Sequence, residues 1–169
     1  MGFNLDQSMA DMDRIGMMVQ NADNKANLIL AIGSGLLGLF AGNMIEFLKS
    51  LKSSPITAGR AILLIFMLLF LGSLILTIYT VFRVILPRVK KKEHSTLFHF
   101  SNIADLPKEE FSEKMRNLTE EEVLHNAIYQ LYENAQIAKI KYYDVLKAWQ
   151  YLYFGVIFGF LFNFLVEFI

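Results

Sequence analysis

Three apolar runs, 26–48, 61–86 and 149–169, constrain this chain more than any other feature of its sequence. A helix needs about 20 apolar residues to cross a hydrocarbon core of roughly 30 Å, and each run reaches that length. Inside lipid every backbone N–H and C=O must be satisfied within its own segment, so a spanning run of this kind folds as an α-helix. The first run is interrupted by Ser34, Asn43 and Glu46. The second is broken only by Arg83, near its end, and Pro87 then removes a backbone donor and marks a stop or kink. The third opens with Trp149, Tyr151 and Tyr153, placed as interfacial aromatics are. Hydrophobic residues make up 54% of the 169, against about 45–50% for a soluble domain. Buried core helices of a soluble fold are the competing explanation, but runs this long with so little charge argue for spans.

The expected fold is an all-α membrane protein with three transmembrane helices and a cytoplasmic helical bundle. Its segments are a cytoplasmic amphipathic helix (1–25), a first span (26–48), an extracytoplasmic loop (49–60), a second span (61–86), a cytoplasmic helical segment (87–148) and a third span (149–169). Residues 1–25 are acidic and polar, without the basic start or small-residue cleavage site of a secretory signal, so the first run is expected to remain as an anchor. Lys and Arg set the orientation. The loop 49–60 holds Lys49, Lys52 and Arg60. The opposite side holds Arg14, Lys25, Arg88, Lys90, Lys91, Lys92, Lys139, Lys141 and Lys147. That side is expected inside the cell, with the C-terminus outside.

Outside the spans, Leu5, Met9, Met12, Gly16 and Val19 recur at helical spacing, and this helix can run straight into the first span. A short helix carrying Phe111 and Met115 is expected after Pro107. Thr119 and Glu122 form a capping box. From Glu120 to Phe154 there is neither Gly nor Pro, and Leu124, Ile128, Leu131, Ala135, Ala138, Tyr142, Val145 and Trp149 alternate at spacings of four and three. The seam continues through Leu152, Val156, Gly159, Asn163 and Val166. One helix of about 50 residues, about 75 Å long, would thus run continuously from cytoplasm into membrane. Its seam needs a partner, either the N-terminal helix or a second copy.

Zero net charge predicts no polyanion partner, and the absence of Cys excludes disulfides and thiolate metal sites. No nucleophile elbow, P-loop, dinucleotide fingerprint or HExxH is present, and His94, His99 and His125 lack metal-ligand spacing. No catalytic residue, metal or cofactor is therefore assigned, and the chain is read as a non-enzyme. Ser34, Gly38 and Gly42, and again Gly155 and Gly159, form small-residue ladders that let helices approach closely. Asn43, Glu46, Asn163 and Glu167 lie near the outer ends of the first and third spans. They read either as a cation-favouring pore mouth or as side chains reaching the interface. Arg88, Lys90, Lys91 and Lys92 read as positive-inside and headgroup contacts or as an anion site. Lys139, Lys141 and Lys147, interleaved with Tyr129, Tyr132, Tyr142 and Tyr143, suit phosphates and bases or an ordinary juxtamembrane helix. Asp23 and Lys25 could pair locally, cap a cytoplasmic mouth or touch a ligand.

Two stretches resemble the Pycsar effector family of bacterial anti-phage defence. Ala22-Asp-Asn-Lys-Ala-Asn-Leu-Ile-Leu-Ala31 is similar to the family's D-x-K-A lead-in to its first span. The second stretch starts at Leu97-Phe-His-Phe100 and passes through Ile128-Tyr-Gln-Leu131 and Asn134 to Ala148. It is similar to the family's soluble segment, which ends in an I-A-x-x-K-Y-x-x-L-x-x-A-like pattern. Lys139 and Lys141 both stand where the pattern has one lysine. The resemblance implies a homo-oligomer, with four copies as the working number, in the bacterial inner membrane. A partner nucleotidyltransferase or cyclase would make a cyclic or linear nucleotide messenger on infection. Binding it would open a pore and depolarise the cell, an abortive response. Lys25, Arg88, Lys90, Lys91, Lys92, Tyr132, Lys139 and Lys141 are the candidate ligand residues. Ser34, Gly38, Gly42, Gly155, Gly159 and Asn163 are the candidate pore and packing residues. The competing functions are a membrane-anchored adaptor and a small constitutive channel or transporter.

Overall fold

The computed structural model describes residues 5–86, 103–104 and 106–168. Among the described residues four helices, long or short, are bounded, and no strand occurs: α1 (Leu5–Ser53), α2 (Ala58–Ile85), α3 (Lys108–Asn117) and α4 (Glu120–Val166). Three of them, α1, α2 and α4, are long and apolar enough to cross a membrane.

α1 fuses the N-terminal amphipathic helix and the first span without a break, because no proline interrupts it and Asp6 and Lys52 complement its dipole at the two ends. It also continues past the expected boundary at Leu48, since Lys49 to Ser53 carry no breaker. Pro55 does. The connection shrinks to residues 54–57, where Thr57 Oγ1 accepts from Arg60 N–H at 3.4 Å and the Arg60 guanidinium donates to the Pro55 carbonyl at 3.3 Å. α2 ends as expected ahead of Pro87, with Leu86 N–H donating to the Phe82 carbonyl. α3 follows Pro107, with acidic Glu109 and Glu110 in its first turn and Lys114 and Arg116 in its last.

α4 starts on the expected capping box. Thr119 N–H donates to Glu122 Oε2 at 2.8 Å, and Glu122 N–H donates to Thr119 Oγ1 at 3.3 Å. The Thr119 backbone bond, then its hydroxyl, holds the Glu122 carboxyl below its ordinary value of 4.5. The stability this contributes is fully present above that ordinary value and is lost as pH falls through the lowered one. Protection of the first-turn amides of α4, corrected for intrinsic exchange, is therefore expected to drop on acidification in the wild type. In Glu122→Gln that pH-dependent step should be absent.

The chain forms two compact units. In the first (Met1–Asn21 with Pro87–Ile140), Ser8, Ala127 and Ala138 are buried, while Leu5, Met9, Met17 and Met18 are exposed. The second (Ala22–Leu86 with Lys141–Ile169) holds the main apolar core. There α1 and α4 run parallel: Asp23 meets Lys141, 118 residues away, and Asn43 meets Asn163, 120 residues away. α2 runs against both, since Phe70 faces Phe40 and Arg83 faces Asp144.

The expected α4 seam holds at Ala138, Val145, Leu152 and Gly159, while its alternate positions lie one residue earlier than expected; on α1, Met12 and Val19 are half-buried as expected. Along α4 the buried positions are Ala127, Ala138, Lys141, Asp144, Val145, Ala148, Leu152, Gly155, Gly159 and Phe162. Tyr142 and Trp149 point outward instead, and Val156 and Asn163 are only half-buried. On α1, Ser8, Ala22, Ala26 and Ile29 are buried, whereas Leu5, Met9 and Gly16 are exposed. The reason is physical: lipid is as apolar as a leucine side chain, so close approach of small residues, not apolarity, selects the packed face.

Candidate functional site

Asp23, Lys25, Arg83, Lys141, Asp144 and Lys147 of the second unit lie toward one end of its three helices. Lys141 and Asp144 stand one turn apart on α4 and face two different neighbours. Lys141 Nζ donates to both oxygens of Asp23 on α1, at 2.6 and 2.8 Å. Asp144 Oδ1 lies 3.4 Å from Arg83 Nη2 on α2. α4 is thus tied to α1 and to α2 at the same level by two ion pairs of opposite polarity.

Burial is unequal within each pair. The Lys141 side chain is 9% exposed and that of Asp23 34%. The Asp144 side chain is fully buried, while Arg83 is 48% exposed. In the first pair the cation is the desolvated member; in the second it is the anion. An ion pair in this setting roughly balances Coulomb gain against desolvation, but removing one partner leaves a buried charge uncompensated. The pairs therefore specify an arrangement more than they stabilise it. Beside them, Lys25 Nζ sits 5.3 Å from the centre of the Tyr142 ring, and Lys147 Nζ 4.6 Å from that of Tyr143. Below them, Thr80 and Thr77 are buried on α2, their hydroxyls donating to the Leu76 and Ser73 carbonyls at 2.7 and 2.8 Å.

The middle of the unit is apolar and tightly packed. Phe40 contacts Phe70 and Phe160 edge-on, with centroids 5.6 and 5.3 Å apart, and such pairs add about 1 kcal/mol beyond area burial. Gly159 makes this fit possible: a Cβ there would lie 2.7 Å from Phe40 Cε2 and 3.0 Å from Phe70 Cδ2. At Gly155 a Cβ would lie 3.4 Å from Ser73 Cβ. Toward the opposite end Asn43 Nδ2 donates to Asn163 Oδ1 across α1 and α4. Next to it a cleft of about 210 Å³ is lined by Glu46, Ser50, Arg60 and Val166.

The candidate residues fall into three groups. Lys25 and Lys141 come together at the charged end. There Asp23 is held by Lys141, not by the neighbouring Lys25. Lys139 and Tyr132 are exposed and belong to the first unit. Arg88, Lys90, Lys91 and Lys92, like His94 and His99, lie outside the described residues. Of the two small-residue ladders, Gly155 and Gly159 pack inside the unit, joined by Gly33, which the sequence did not single out. Ser34, Gly38 and Gly42 face outward, and a Cβ on Gly38 or Gly42 would meet nothing within 4 Å. Asp144 was missed. Its signal was available: a carboxylate five residues before Trp149, opposite in sign to Arg83 at the matching end of the second run. Among the described residues no group of three His, Asp or Glu is placed to hold a metal.

The two stretches that carry the resemblance meet at the Asp23–Lys141 pair. The family model of the Pycsar effector protein domain matches residues 8–166, nearly the whole chain. No curated protein and no solved structure matches.

Proposed function

The chain belongs to the Pycsar effector family and is a membrane effector of anti-phage defence, and from this we propose that it is a ligand-gated pore of the bacterial inner membrane. A nucleotide messenger, made on infection by a partner nucleotidyltransferase or cyclase, binds on the cytoplasmic side. The bound form opens an oligomeric conduit and collapses the membrane potential. The N-terminus and residues 87–148 face the cytoplasm, and the C-terminus faces outward. Copies meet through the outward ladder of Ser34, Gly38 and Gly42; among the described residues nothing lies within 4 Å of a Cβ placed on Gly38 or Gly42. The chain itself performs no chemistry.

The observation that carries this reading is the pair of ion pairs at one end of the three membrane-spanning helices. Buried charge of this kind in a membrane bundle is costly and marks function by default. It also supplies what gating requires, a polar contact that a charged ligand can compete for. Moving a closed population from 1:99 to 99:1 needs about 5.5 kcal/mol of differential ligand affinity, which is the scale of buried charge rearrangement. The test is cation flux from liposomes carrying the purified full chain, titrated with cyclic and linear nucleotides. Flux with one of them and silence without it are expected. Vesicles that stay tight across the panel, while the chain captures a cytoplasmic protein, would favour the adaptor role instead.

A further inference from the structure

The functional reading above leaves open where an anionic ligand would act, and the Asp23–Lys141 pair answers that question. We propose that Asp23 is a built-in competitor: its carboxylate occupies, on Lys141, the position of a ligand phosphate, and the phosphate opens the protein by displacing it. This rests on the ligand-gated reading of the previous subsection.

Four features of the second unit lead there. First, Lys141 gives two bonds to the two oxygens of a single anion. A phosphate offers the same oxygen–centre–oxygen edge with greater charge, and charge-assisted bonds of this kind are the strong ones. Second, the ammonium is buried and cannot be left bare, so the site exchanges anions rather than releasing one. Third, the incumbent can leave: Asp23 is one-third exposed and can turn into water, whereas Lys141 cannot follow. Fourth, a second cation and a ring flank the site. Lys25 is two residues from Asp23 and already lies over the face of Tyr142, which follows Lys141 directly. A phosphate bridging Lys25 and Lys141, with an attached base against Tyr142, uses all three.

The second ion pair gives the exchange a direction. Its buried member is the carboxylate of Asp144, so it selects no anion and stays closed. Displacement of Asp23 would therefore release α1 from α4 at this level while α2 and α4 remain tied.

A phosphate could reach Lys141 from a nucleotide in solution or from an anionic lipid headgroup, and the experiment separates these. Full-length wild type, Asp23→Asn and Lys141→Met are placed in vesicles of phosphatidylcholine alone or with phosphatidylglycerol. Each is titrated with the four 3′,5′-cyclic mononucleotides, and ion flux is recorded. If Asp23 occupies the site nine-tenths of the time or more, its removal raises apparent affinity by at least about tenfold. The half-maximal nucleotide concentration of Asp23→Asn should fall by that factor, and Lys141→Met should not respond. Opening of the wild type by phosphatidylglycerol without nucleotide would identify the headgroup as the ligand and keep the displacement mechanism. Equal half-maximal concentrations in wild type and Asp23→Asn would overturn it.

A second readout is independent of gating. In detergent, inorganic phosphate should raise the melting temperature of Asp23→Asn over an equal ionic strength of chloride, and raise that of the wild type much less, because only the variant has a vacant anion position. The same phosphate shift in both proteins would refute the anion site even if the wild type proved to be a gated pore. A shift confined to the variant, with vesicles that never leak, would refute the pore and keep the site.

Discussion

Arg83→Met is expected to destabilise the detergent-solubilised protein by about 3–5 kcal/mol, far more than Asp144→Asn. The asymmetry follows from burial. Removing Arg83 takes the adjacent cation from the fully buried Asp144 carboxylate, whereas removing the charge of Asp144 leaves an Arg83 that is already half-exposed and can extend to water. The double change Arg83→Met with Asp144→Leu should recover most of the loss, since replacing both members of a buried pair by apolar groups is often neutral. The measurement is the temperature at which each variant loses its size-exclusion peak. Equal shifts for Arg83→Met and Asp144→Asn would contradict the burial assigned to this pair.

Gly159→Leu is the second large effect. A Cβ at this position already lies inside the contact distance of Phe40 and Phe70, before three further carbons are added. Phe40, Phe70 and Phe162 are almost completely buried, so the rings have little room to retreat. Overpacking of this kind costs about 1–3 kcal/mol, occasionally more. Gly159→Ala should cost less, and Phe40→Leu should partly rescue Gly159→Leu by vacating the notch. The control is Gly38→Leu. A Cβ at Gly38 meets no atom within 4 Å, so that variant should melt as the wild type does and change only the association of copies. A drop in melting temperature for Gly38→Leu as large as that for Gly159→Leu would remove the distinction between the inward and outward ladders.

These two cases show what could be read in advance. Bilayer thickness and hydropathy decide where a span lies, so the three runs, the proline stop before residue 88 and the long last helix were visible in the sequence. The capping box was visible because its two bonds are local. Half of the last helix's seam was legible from its spacing, at Ala138, Val145, Leu152 and Gly159; the other half lies one residue earlier, at Lys141, Ala148, Gly155 and Phe162, because apolarity marks burial against water and not against lipid. The charged site was half visible. Lys141 stood out as a cation beside tyrosines, and Asp23 and Lys25 as charges at the entry to the first span, but Asp144 did not stand out and the pairing of Asp23 with Lys141 was not legible. The carboxylate that binds Lys141 is 118 residues away, and no local pattern announces such a partner. Arg83 was noted only as an interruption of the second run. Its role emerged when antiparallel packing brought it to Asp144.

The most direct test is made in infected cells. A potential-sensitive dye reports the membrane potential of bacteria carrying the chain and its partner synthase, the chain alone, or the chain as Lys141→Met with the synthase. Rapid loss of potential after infection is expected only when wild-type chain and synthase are both present. Cells that resist phage while their potential stays intact would contradict the account, because protection would then not pass through the opening of a membrane pore.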